Sequence, residues 1–184
     1  MINRKIFFDL YKKNLDPDRK LSQQEVNALD AFLQNVDDIF HQFSGPQWAY
    51  IFATVFHETN ATFLPVREAY WMSEDWRKRN FRYYPYYGRG FVQITWEANY
   101  LTYKKLLGID LVKNPDLAMD SGVAFFILTH GFQKGTFTGQ KITHYINGAK
   151  KDYVGARKCI NGTDKAQLIA NYAKSFENIL LKSI

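Results

Sequence analysis

Two carboxylates ten positions apart, Glu58 and Glu68, are the residues of this chain best placed to do chemistry. Glu58 lies near the end of WAYIFATVFHETN, where the nine residues Trp48 to Phe56 carry no charge before His57, Glu58, Thr59 and Asn60 arrive together. A helix apolar on every face must be buried. Gly45 and Pro46 fit its start, because a proline in the first turn loses no hydrogen bond. Glu58 then stands at the C-terminal end of a core helix, where desolvation and the negative end of the helix dipole both disfavour the ionised form. That is the setting a general acid needs near neutral pH. Glu68, in PVREAYW, follows a segment broken by Asn60, Thr62 and Pro65, so it is off that helix and a turn can carry it across a cleft from Glu58.

Next comes YYPYYGRGFVQIT, Tyr83 to Thr95. Gly88 and Gly90 flank Arg89, a spacing suited to a tight loop with unusual φ or close backbone approach, and Phe91 to Thr95 alternates like a short strand. Other chemistries fit less well. His57-Glu58 starts like a zinc motif, but Ala61 stands where the second histidine belongs. Gln93 occupies the place of a dinucleotide loop's third glycine, and no Gly-x-Ser-x-Gly elbow occurs. His41, His130 and His144 read as structural or surface residues, so neither a metal nor a cofactor is expected. Arg77, Lys78, Arg79, Arg82 and Arg89, interleaved with Tyr83, Tyr84, Tyr86 and Tyr87, look like a single-stranded nucleic-acid platform. An acid at the end of a buried helix has no use in that role.

Taken in order, His57-Glu58-Thr59, Arg67-Glu68, Tyr87-Gly88-Arg89-Gly90, Gln93-Ile94-Thr95, Asn99-Tyr100, Leu111 to Leu117 and Asn161-Gly162 resemble glycoside hydrolase family 19, the chitinases and related phage and bacterial lysins. The resemblance implies Glu58 as the general acid and Glu68 as the general base of an inverting reaction, whose carboxyls stand ~6.5–9.5 Å apart to admit a water. It makes Thr95 the hydroxyl that helps hold that water, and His57, Tyr87, Arg89, Gln93, Asn99 and Asn161 the substrate-binding set. Planar amides such as Gln93 and Asn99 offer both a donor and an acceptor to sugar groups. Plainer readings stand beside these: Glu58 paired with Arg67 or Arg89, Thr95 as a helix N-cap, Arg89 bracing carboxylates without touching sugar, and Asn147 in place of Asn161. The chain departs from the family where an arginine is usual downstream of the late asparagine. Arg157 is the available substitute, Ala98 replaces a sugar-contacting tyrosine, and the plant enzymes' cysteine-bearing loops are missing.

At 184 residues the chain suits one catalytic domain, 1–45 as helical scaffold and 46–184 as the family-like core, with no separate wall-binding domain. Lys plus Arg number 24 against 18 Asp plus Glu, a net charge of +6, which reads either as ordinary solubility charge or as attraction to an anionic polymer, a nucleic acid or a bacterial cell wall. Cys159 is the only cysteine, so no intramolecular disulfide can form. The opening MINRKIFFDLYKKN lacks a long apolar segment, and the run from Trp48 to Phe56 is far short of the ~20 residues of a membrane span.

Periodicity predicts a helix over 3–13 closed by the turn Asn14-Leu15-Asp16-Pro17, and a second from the Ser22-x-x-Glu25 capping box to about Phe43. Later helices are predicted over 96–107 with Gly108 as its stop, 121–132 and 164–181, with short helical pieces over 142–146 and 153–160. The expected fold is α+β, mainly α-helical and lysozyme-like, with a small β-hairpin or sheet around 83–95 beside the catalytic cleft. The expected function is a phage- or prophage-type endolysin hydrolysing peptidoglycan, with a chitinase as the alternative and a non-catalytic glycan- or nucleic-acid-binding protein as the alternative of another class. Such a protein is a monomer in the bacterial cytoplasm that reaches peptidoglycan glycan strands with the help of a holin, without nucleic acid or membrane insertion.

Overall fold

The computed structural model describes residues 1–15, 18 and 20–184, so Asp16 and Pro17 of the turn expected after the first helix lie outside the described residues. The described chain forms two compact units, one of residues 1–63 with 129–184 and one of residues 64–128.

The first unit is built around α3 (Gly45–Glu58), in which every residue from Gln47 to Phe56 is buried. Helix α7 (Ala166–Ser183) packs on α3, and α1 (Arg4–Leu15) packs on α7. Their junction is aromatic: the Phe52 ring lies 5.6 Å from Phe7, 5.0 Å from Phe32, 6.2 Å from Phe63 and 5.4 Å from Phe176. Truncating Phe52 to alanine would remove the shared partner of four rings and cost about 3–5 kcal/mol. Helix α2 (Gln23–Asp38) starts on the expected Ser22–Glu25 capping box but stops five residues before Phe43. Ile39 leaves the helical region at φ −122°, a 3₁₀ turn follows over Phe40–Gln42, and the Phe40 carbonyl accepts from the Trp48 indole at 2.9 Å. The chain must turn there to enter α3.

Two further expectations are corrected in this unit. Residues 142–146 are helical only over Ile142–His144, and Ile146 starts a hairpin of β3 (Ile146–Asn147) with antiparallel β4 (Lys150–Lys151). Gly148 opens the two-residue loop at φ +48°, the backbone state such loops require. Gln47 donates to the Ile146 carbonyl at 2.8 Å, tying this hairpin to the start of α3. Helix α7 begins at Ala166, not Asp164, because Lys165 sits at φ +56°.

In the second unit β1 (Val66–Arg67) pairs antiparallel with β2 (Arg89–Gly90), Val66 opposite Gly90 and Arg67 opposite Arg89. The strand expected over 91–95 is absent. Gln93 at φ +55° and Trp96 at φ +74° break the extended run, leaving one bridge from Ile94 to Arg89. Gly90 at φ +89° is packed so closely that a Cβ would stand 3.2 Å from the Ala118 carbonyl. Helix α4 (Glu74–Asn80), capped by Ser73, was not expected; α5 (Glu97–Leu107) buries Tyr100 and Tyr103 and ends on Gly108 at φ +68°. Helix α6 (Ser121–Lys134) follows a 3₁₀ turn over Pro115–Met119. The result is the expected α+β fold, mainly helical, with two small two-stranded sheets among the described residues. Among the described residues no helix is long and apolar enough to cross a membrane.

Candidate active site

Glu58 is the last residue of α3, held there because the apolar run ends and Thr59 caps the helix. Its partner is Arg157, whose Nη1 donates to Glu58 Oε1 at 2.7 Å. The guanidinium is 3% exposed and the carboxylate side chain 21% exposed, so the pair sits at the edge of the core. Arg157 comes from the 3₁₀ turn Gly155–Cys159, and its Nε donates to the Asp164 carbonyl at 3.0 Å. The expected place of Glu58 at the end of a buried helix is what the structure has, and the ion pair is added to it. A fixed cation faces the carboxylate, supplied by Arg157, the residue that stood in for the family's missing arginine, while Arg67 and Arg89 both donate to Asp116.

His57, beside Glu58, is partly buried, and that desolvation holds its imidazole below the usual value. Cys159, two residues from Arg157, is fully buried, which pushes its thiol up to about 12. Asn161 is exposed; its backbone N–H donates to the Arg157 carbonyl at 2.9 Å. Asn147 is exposed in β3 and donates its amide to the Thr143 carbonyl.

The second unit holds Glu68 by different means. Its backbone N–H donates to the Gly88 carbonyl at 2.8 Å, just beyond the β1–β2 pair. The carboxylate accepts the Tyr83 hydroxyl on Oε1 and the Gly88 N–H on Oε2, both at 2.8 Å. Both donors are neutral. Burial and the hydrogen bond to Glu68 push the Tyr83 hydroxyl up to about 12, so it remains a donor throughout the neutral range. A Cβ on Gly88 would stand 2.7 Å from Gln93 Oε1 and 3.1 Å from Glu68 Oε2, so this glycine is needed for close approach.

Arg89 and Tyr87, expected in the substrate-binding set, are instead part of the scaffold. Arg89 is 3% exposed; its Nε donates to Asp116 Oδ1 at 2.8 Å, and its Nη1 reaches the Pro85 and Tyr87 carbonyls and the Tyr100 hydroxyl. The guanidinium lies 3.7 Å from the centroid of the buried Tyr87 ring. The Tyr87 hydroxyl accepts from Arg67 at 2.6 Å and donates to Glu74 at 3.0 Å. Asp116 accepts from Arg67 and Arg89 together; burial opposes ionisation there, and the two guanidiniums outweigh it, leaving the carboxyl below its ordinary value.

Gln93 spends its amide N–H groups on the Val66 and Gly90 carbonyls at 2.6 and 3.2 Å, which leaves its oxygen as the group able to meet a ligand. Thr95 is not the N-cap of α5, a place taken by Trp96. Its hydroxyl donates to the Gln93 carbonyl at 3.0 Å, and its own carbonyl accepts the exposed Asn99 amide at 2.7 Å. Thus the structure gathers Glu68, Gln93, Thr95 and Asn99 on linked backbone in one unit, and His57 with Glu58 in the other. Sequence reasoning missed Tyr83 as the partner of Glu68, and Arg77, whose Nε donates to the Glu68 carbonyl at 3.0 Å.

Fold and residues together define the lysozyme-like type of glycoside hydrolase fold, with candidate acid and base carboxylates on distinct supports. The family model described as Chitinase class I, glycoside hydrolase family 19, matches residues 17–153, and the chain belongs to that family. It is 50% identical over 42 residues to Chitinase 8 of Oryza sativa subsp. japonica, a stretch covering 23% of this chain and 16% of that protein. Endochitinase A2 of Pisum sativum is 46% identical over 41 residues, 22% of this chain and 13% of that one. The matched stretches therefore span only a small part of these curated relatives. Among solved structures, chitinase C from Streptomyces griseus HUT6037 aligns over 97% of this chain and 76% of its own, with TM-score 0.62 and 21% identity. A bacterial family 19 chitinase aligns over 97% and 94%, with TM-score 0.61 and 24% identity. These two structures share the fold.

Proposed function

We propose that this chain is a glycosidase that cleaves the N-acetylated glycan of bacterial peptidoglycan by single displacement, as an endolysin. Glu58 gives its proton to the glycosidic oxygen, and Glu68 takes a proton from the water that attacks the anomeric carbon from the opposite face, inverting its configuration. The observation that carries this reading is Glu58 standing at the end of the buried helix α3 in a chain of the glycoside hydrolase family 19 type, with Glu68 aimed by its own donors. Arg157, 2.7 Å from Glu58, stabilises the carboxylate left behind when the acid has given up its proton. Neutral donors from Tyr83 and Gly88 orient Glu68 without placing a cation on it through these contacts. Thr95 serves as the water-holding hydroxyl, and the Gln93 and Asn99 amide oxygens meet sugar groups. For the late asparagine Asn161 is the choice, with Asn147 as the alternative; both are exposed.

The preference for peptidoglycan rests on the net charge of +6, which suits a polymer carrying acidic peptides better than neutral chitin. An endolysin of this kind acts from the cytoplasm of its bacterial host once a separate protein such as a holin has opened the membrane. The second reading, a chitinase, is favoured by the names of the relatives. Digestion of purified peptidoglycan and of chitin oligomers side by side, with Glu58→Gln as control, separates the two. New reducing ends from peptidoglycan are expected, and cleavage of chitin alone would overturn the choice.

A further inference from the structure

Immediately after Glu68 the chain exposes two large aromatic side chains that the catalytic reading leaves unused. Tyr70 and Trp71 are 69% and 70% exposed, and their rings meet edge to face with centroids 5.2 Å apart. Contiguous exposed aromatic surface marks interaction sites. The base of this shelf is held firmly. Ala69 turns the chain at φ +47°, the Met72 N–H closes on the Ala69 carbonyl at 2.9 Å, and Arg77 donates to the Glu68 and Ala69 carbonyls, each at 3.0 Å. Arg77 is itself 5% exposed and also pairs with Glu74 at 3.0 Å. The rings are thus fixed to the backbone that carries Glu68, while their side chains stand in solvent.

We infer that Tyr70 and Trp71 form a binding shelf for the glycan strand of peptidoglycan, continuous with Glu68; this rests on the reading of Glu68 as a glycan-hydrolysing residue. Rings of Tyr and Trp offer an apolar face to the C–H face of a sugar and a polar edge to its hydroxyls. Helix α4, tied to this backbone through Arg77, carries further cations. Arg77 joins the shelf to α4, whose exposed Lys78 and Arg79, with Asp75, line an open hollow of about 330 Å³. Carboxylates of the peptides that hang from alternate wall sugars find cations there, and neutral chitin has none to offer.

The test is binding, separated from turnover by the Glu58→Gln background. Purified sacculi and insoluble chitin are each titrated with that protein and with its Trp71→Ala, Tyr70→Ala and Trp71→Phe derivatives, bound fractions being read by sedimentation and folding by thermal melts. About tenfold weaker binding to sacculi is expected for each alanine, with unchanged melting because both rings are exposed, and Trp71→Phe should recover much of the loss. Unchanged affinity for sacculi in both alanine variants overturns the shelf. An equal fall on chitin overturns the commitment to wall glycan. Should the wild-type protein hydrolyse neither polymer while binding to sacculi still depends on Trp71, the catalytic reading fails and the shelf stands.

Discussion

Glu58 and Glu68 are both half-buried carboxylates, yet one is held by a formal charge and the other by dipoles. Glu58 sits where a fully buried helix runs out, and Arg157 reaches it across 99 positions of sequence. Glu68 sits just past a two-residue strand, and its donors come from the same short stretch, 15 and 20 positions on. The difference teaches how one chain fixes two identical side chains by unlike means. A guanidinium supplied from a distant turn ties Glu58 to another part of the fold, whereas the two neutral donors on Glu68 make its aim a property of one short stretch.

The largest break in that comparison comes from Glu58, the proposed acid. Glu58→Gln keeps an acceptor for Arg157 but removes the proton and the guanidinium's counter-charge, so turnover should fall by about 10²–10⁴-fold and the melting temperature should also fall. Activity above a few percent of wild type would remove Glu58 from the acid role. Arg157→Ala should come next, costing about 2–3 kcal/mol of stability, because a hydrogen bond to a charged group is lost and the Asp164 carbonyl also loses its donor. Urea denaturation measures it, and a loss no greater than that of Tyr83→Phe would erase the distinction between the two supports. Tyr83→Phe removes one neutral donor while Gly88 keeps the other, so about 1 kcal/mol is expected.

The smallest effect concerns pH. Burial holds the His57 imidazole below 6.5, so as pH falls the unfolded chain takes up its proton first. The stability His57 contributes is complete above 6.5 and is lost as pH falls through the folded value. His57→Gln should therefore flatten part of the fall in melting temperature between neutral and mildly acid pH. His130, likewise held down by burial and by Lys134, retains the rest of the slope. An unaltered slope would mean that His57 is not desolvated.

Most helices were legible because their signals are local. The Ser22–Glu25 box, the apolar run into Glu58 and Gly108 after Leu107 each state a boundary within a few residues. Helix α4 was not, since EDWRKRN carries no apolar stripe and is held by its Ser73 cap and by Arg77 reaching out of the helix. The alternation of residues 91–95 misled because it does not register a positive φ at Gln93. Glu58 was placed by its sequence neighbours, while its cation depended on a turn about a hundred residues away. Among Tyr83, Tyr84, Tyr86 and Tyr87 nothing in the sequence singles out Tyr83. The choice is made by the turn that returns Gly88 to Glu68.

The buried Cys159 has a practical consequence. With its thiol protonated and out of solvent in the same 3₁₀ turn as Arg157, it is inert to thiol reagents while that turn is closed. Being the chain's sole sulfhydryl, it turns the protein into its own clock: the rate at which an alkylating agent marks it counts the openings of the segment that carries the Glu58 cation.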